Sequence, residues 1–124
     1  MGLFSEFKQS LRESAGRILW SQLKDTKAKL IRLPGEVRAQ ALMGFVDKRE
    51  KLIPKLDNMS SEGRIEMGTL LQKKARETFN MNMSEGYALW LTGAWIESMN
   101  RPGPEAEQTY EYLNGLAIEL IGSL

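Results

Sequence analysis

Apolar residues recur along the chain with the period of a helix, and nowhere do they alternate as in a strand. In the first stretch Phe4, Phe7, Leu11, Ala15, Ile18 and Leu19 follow one another at spacings of three and four, which lays them on one side of a helix over about 3–32. "LPGE" at 33–36 interrupts the run, because proline lacks a donor and glycine frees the backbone. A second stripe, Leu42, Phe45, Val46, Leu52 and Ile53, predicts a helix over 35–53 that Pro54 ends or kinks. Three more helices follow, at about 61–80, 84–99 and 105–121. The last opens on Pro104, suited to a first turn, shows a face of Ala106, Tyr110, Leu113, Ala117 and Leu120, and should stop at Gly122.

The fourth segment breaks the amphipathic rule. Leu89, Trp90, Leu91, Ala94, Trp95 and Ile96 surround the helix on every side, the pattern of a central buried element. Gly93 and Ala94 are small enough to admit a neighbouring helix closely. The expectation is one all-α domain over 1–124, a compact bundle of about five helices around segment 84–99. Trp90, Gly93 and Trp95 are either its core or an oligomer contact. No apolar run approaches the roughly 18 residues of a bilayer span; "YALWLTGAWI", about half that length, is the longest.

Two similar stretches stand before the third and fourth helices, "NMSSEG" at 58–63 and "NMSEG" at 82–86. Each holds Asn-x-Ser, the acceptor pattern for N-linked sugar. The charged opening, "MGLFSEFKQSLRESAG", reads as helix and not as an export leader, so a cytoplasmic chain without sugar is expected. The two copies lie too close for a two-helix repeat, and the segments behind them diverge. The physical reading is two helix starts. Ser60 or Ser61 caps the third helix and Ser84 the fourth, with Glu62 and Glu85 against the helix dipoles and Met83 touching Ala88 as a weak staple.

Composition narrows the chemistry. The 124 residues include no histidine and no cysteine, which excludes Ser-His-Asp and Cys-His catalysis, disulfides and thiolate or imidazole metal sites within this chain. Carboxylates with a hard cation such as magnesium remain conceivable at Asp47 with Glu50, Glu62 with Glu66, and Glu107 with Glu111, yet such spacings ordinarily solvate a helix. No catalytic residue, metal ligand or cofactor is assigned.

The net charge of +1 conceals a strong asymmetry. Residues 1–56 carry 12 Lys/Arg against 6 Asp/Glu, whereas residues 81–124 carry one Arg against six Glu. Such halves can complement each other inside the fold, between subunits, or with an outside partner. Arg17, Trp20, Lys24, Lys27 and Ile31 share a side of the first helix, a candidate interaction surface for a protein chain. The alternative partner is nucleic acid, with Lys24, Lys27, Lys29 and Arg32 on phosphates and Trp20 stacking on a base. Phe4 and Phe7 beside Lys8 and Arg12 also fit a membrane surface, although docking of that helix on its own domain is the plainer reading. Arg49 falls inside an apolar stripe, so its stem snorkels to water, or it forms an ion pair in the bundle or across an interface. Together these features predict a small non-catalytic protein acting through protein–protein contact, as a homo-oligomer or adaptor. A nucleic-acid-binding regulator is the alternative and a carboxylate–magnesium enzyme the third reading.

Overall fold

A computed structural model describes the backbone of residues 2–123 and the side chains of residues 11 and 13–123. Five helices follow one another: α1 Gly2–Arg32, α2 Gly35–Leu56, α3 Ser61–Thr78, α4 Met83–Ser98 and α5 Pro104–Gly122. No strand occurs among the described residues. The all-α bundle read from the periodicity is the fold, and α4 is its centre. Every residue from Gly86 to Ser98 is buried. α3 and α2 cover α4 most extensively, α5 closes the remaining side, and α1 lies over α5 with a lighter contact to α4.

The closest approach is between α3 and α4, where glycines face each other. A methyl group on Gly93 would lie 2.6 Å from the Gly68 carbonyl oxygen, and one on Gly68 would lie 2.7 Å from the Gly93 carbonyl oxygen. Backbone therefore rests on backbone, which only glycine allows at both positions. Leu19, Leu23, Phe45, Leu91, Trp95, Ile96 and Leu113 fill the core around this crossing. Beside it, buried Gln72 donates to Glu97 Oε1 at 2.7 Å, and Arg101 Nε donates to Glu97 Oε2 at 3.0 Å. Both oxygens of this buried carboxylate thus have partners, as a group removed from water requires.

Several local expectations need correction. Ser60 does cap α3, accepting from Gly63 N at 3.0 Å. The cap of α4, however, is Asn82, whose Oδ1 accepts from Glu85 N at 3.1 Å. Ser84 already lies inside the helix and donates instead to Val37 O or Gln40 Oε1 of α2, both 3.2 Å away. Met83 is the first helical residue, so the staple to Ala88 falls away. The two "NMS" copies are used in different registers because asparagine and serine are both good caps. Pro54 does not end α2, which runs on to Leu56; near the C-terminus a proline disturbs only the last turn. α5 does end at Gly122 as expected, but not through a left-handed glycine, since the only positive-φ residue described is Gly103 (φ 103°), at the cap of α5. α1 runs unbroken past Gly16, and its buried face is Leu19, Leu23 and Leu30. Leu11 and Ile18, assigned to that face from spacing, are 56% and 59% exposed. Phe4 and Phe7 lie outside the described side chains.

A candidate protein-docking face on α1 and α5

α1 and α5 lie side by side and run in the same direction. Gly16 sits against Ala106 near one end. Further along, the Lys27 ammonium stands 4.0 Å from the centre of the Tyr112 ring. Where α1 ends, the two-residue turn at Leu33 and Pro34 sends the chain straight back into α2. That turn brings Arg38 beside the end of α1, where its guanidinium donates to the Ile31 carbonyl at 3.2 Å. A cation on an unsatisfied C-terminal carbonyl is favourable for both hydrogen bonding and the helix dipole.

Between these elements lies a cavity of about 180 Å³. Leu30 and Ile31 of α1, Leu42 of α2, Leu91 of α4 and Leu116 of α5 form its apolar lining, with Lys27, Arg38 and Tyr112 as the polar members. Small-molecule sites usually measure roughly 300–1,000 Å³, so this hollow is undersized for a metabolite. One large apolar side chain fits it, in the manner of an anchor at a protein interface. The Tyr112 hydroxyl has its pKa raised above 10.0, first by burial and second by the Glu119 carboxylate, so it is a neutral hydrogen-bonding group at physiological pH.

The stripe singled out from sequence leads into this cavity. Arg17 and Lys24 are exposed, Lys27 is half-buried, and Ile31 is 71% exposed beside the opening. Arg17 donates to Ser14 at 2.9 Å and Lys24 lies 5.8 Å over the Trp20 ring. Trp20 itself packs against the core. That contact commits much of the indole to packing, which weakens its role as a platform for a base. Arg38, Leu42, Tyr112 and Leu116 were not singled out. Arg38 had a readable signal, since a tight turn must place it near the end of α1; Tyr112 and Leu116 flank the predicted face of α5 and carried none.

The remaining candidates are structural in placement. Trp90 and Trp95 are buried in the core, and Gly93 lies at the α3–α4 crossing. Within one chain the "YALWLTGAWI" stretch is thus already covered. Arg49 is buried and does not snorkel. It donates to Glu50 Oε1 and to Asn114 Oδ1, each at 2.7 Å, and its guanidinium lies 5.2 Å over the Trp95 ring. Of the acidic pairs, Asp47 is engaged by Lys51 and Glu50 by Arg49. Glu62, Glu66, Glu107 and Glu111 are exposed. Among the described residues no three acidic side chains converge as a metal site would require, and no helix is long and apolar enough to cross a membrane.

The asymmetric charges are scarcely used inside the fold. Among the described residues one ion pair, Lys48–Glu85 at 2.6 Å, joins the basic half to the acidic half. The others are local, including Lys29–Asp25 and Arg101–Glu97. Arg17, Lys24, Lys27 and Arg38 make no ion pair with a described carboxylate, and neither do Glu105, Glu107, Glu111 and Glu119 with a described cation. A second apolar area, around Met67, Leu70 and Leu71, belongs to α3 alone and carries both signs, Lys73, Lys74 and Glu77. The chain matches no known protein family, no curated protein and no solved structure.

Proposed function

We propose that the chain is a non-catalytic helical interaction module whose α1–α5 face docks an acidic protein segment bearing one large apolar anchor. The observation that carries the reading is the pairing of an apolar cavity of about 180 Å³ with cations that have no carboxylate partner among the described residues. An anchor side chain in the hollow supplies affinity by burial. Carboxylates on either side, opposite Lys24, Lys27 and Arg38, supply orientation and faster encounter.

Fluorescence anisotropy with a labelled acidic helical peptide carrying a central Leu or Ile tests this. Binding is expected, weakening as salt rises. A peptide with its carboxylates replaced by lysines should not bind, and neither should the acidic peptide when Leu42→Trp fills the hollow. Equal binding of both peptides, or none at millimolar protein, would overturn the proposal. Stronger binding to single-stranded DNA or RNA than to any peptide would return the function to nucleic acid.

A further inference from the structure

The basic stripe on α1 has one open end. Arg17 and Lys24 come before the cavity and Lys27 stands in its wall. Past the cavity α1 stops, and the turn at Leu33 and Pro34 folds the chain back. Arg38 of α2 lines that end of the cavity, its guanidinium fixed to the Ile31 carbonyl at 3.2 Å. A segment laid along the stripe therefore meets flanking cations on one side of its anchor and the α1–α2 turn on the other.

The cavity wall points the same way. Lys27, Arg38 and Tyr112 belong to the lining itself, beside the leucines. An anchor in the middle of a helical segment has its nearest side-chain carboxylates one turn away, about 5.4 Å along the axis, which suits Lys24 better than groups inside the wall. In a chain's last residue the α-carboxylate is separated from the side chain by Cα alone, so anion and apolar group enter one hollow together. Resting on the docking reading above, we infer that the anchor is the C-terminal residue of the partner segment, an aliphatic side chain whose free α-carboxylate is held by Lys27 and Arg38.

The donors for this capture are available and already positioned. A guanidinium has five N–H groups, and Arg38 commits one of its nitrogens to Ile31. The Lys27 ammonium rests 4.0 Å from the centre of the Tyr112 ring and has no ion pair with a described carboxylate. Both cations are half-buried, where a charge-assisted hydrogen bond is screened less than on open surface. Tyr112, kept protonated chiefly by burial, adds a neutral donor. A positively charged amino terminus would be repelled by the same two cations, so the end that fits is the carboxyl end. Glu119 is the opposing group: it is exposed, acts on Tyr112 and works against an incoming anion.

Fluorescence anisotropy with three peptides labelled at the amino terminus separates a terminal anchor from an internal one. All share an acidic stretch and one leucine. In the first the leucine is last and its carboxylate free, in the second it is last and amidated, and in the third two glycines follow it. The free acid should bind wild type at least about tenfold more tightly than either of the others. Lys27→Gln and Arg38→Gln should each shrink that preference, and Glu119→Gln should strengthen the free acid more than the amide. Equal affinity for all three peptides overturns the inference and keeps the docking face, as does a preference that both cation variants leave intact. If none of the three binds while the acidic helix with a central anchor does, the terminal carboxylate falls alone; if that helix fails as well, both readings fall. Isocaproate, which is leucine without its amino group, should not displace the first peptide at concentrations near that peptide's own Kd. Displacement there would make the hollow a site for a small free carboxylate and overturn a protein terminus as its occupant.

Discussion

Replacing Gly93 by alanine should destabilise the protein although it improves the helix. In isolation the change favours α4 by about 1 kcal/mol, the difference in helix propensity between glycine and alanine. The added methyl, however, would sit 2.6 Å from the Gly68 carbonyl oxygen, 3.0 Å from Gln72 Cγ and 3.1 Å from Gln72 N. Ordinary carbon–oxygen contacts begin near ~3.3 Å, so α3 and α4 must separate by about 0.7 Å along their crossing. Two of the three obstructing atoms are backbone and cannot rotate away. Overpacking of this kind typically costs about 1–3 kcal/mol, and rigid opposition argues for the upper end, which leaves a net loss of about 2 kcal/mol after the propensity gain. Gly115 is the control: a methyl there meets nothing within 4 Å, so Gly115→Ala should gain about 0.5–1 kcal/mol. Urea unfolding followed by far-ultraviolet circular dichroism, at low micromolar protein, measures both. The two midpoints should move in opposite directions. A Gly93→Ala midpoint at or above wild type would refute the close crossing and, with it, the reason for glycine in the buried helix.

Further expectations concern the helix start, the buried cation and alkaline pH. Asn82→Ala should cost about 1 kcal/mol as a lost cap and Ser84→Ala clearly less; a reversed order in the same assay would restore serine as the cap. Arg49→Ala should cost about 2 kcal/mol, since the bond to Asn114 lies in the bundle while Glu50 is half exposed and contributes little. A double-mutant cycle with Asn114→Ala should show coupling of about 1 kcal/mol, and a loss no larger than that of exposed Lys51→Ala would remove the buried role. For Tyr112 the folded pKa lies above the unfolded value. Its stabilising contribution is therefore complete below about pH 10 and disappears as pH rises through the folded pKa. Tyr112→Phe should lose less stability than wild type over that alkaline range, and Glu119→Gln should lower the tyrosinate titration midpoint seen by ultraviolet absorbance; an unchanged midpoint would count against the Glu119 contribution.

Most of the architecture was legible because the periodicity is strong and the turns are marked. "LPGE" separates α1 from α2, and the all-round apolar α4 declared itself the centre. The failures share a cause: a helix face computed from spacing is only as good as its assumed neighbours. Leu11 and Ile18 lie on a plausible stripe, but the buried face of α1 is Leu19, Leu23 and Leu30, and the side that meets α5 runs through Gly16 and Lys27. The choice between Asn82 and Ser84 as cap depended on a two-residue shift set by where Ser84 meets α2, a tertiary fact. At Arg49 the sequence offered both a snorkelling stem and a buried pair, and the partner that decides it, Asn114, is 65 residues away. The docking stripe on α1 was readable from its spacing, whereas the cavity at its end required four helices to be assembled before it existed.

The most direct test of the docking face is backbone amide chemical-shift mapping during titration of the chain with the acidic helical peptide carrying a central Leu or Ile. Shifts should concentrate in 17–31 of α1, 38–42 of α2 and the Tyr112–Leu116 turn of α5, with Met67, Leu70 and Leu71 of α3 unmoved. Shifts centred on α3, or none at saturating peptide, would contradict it.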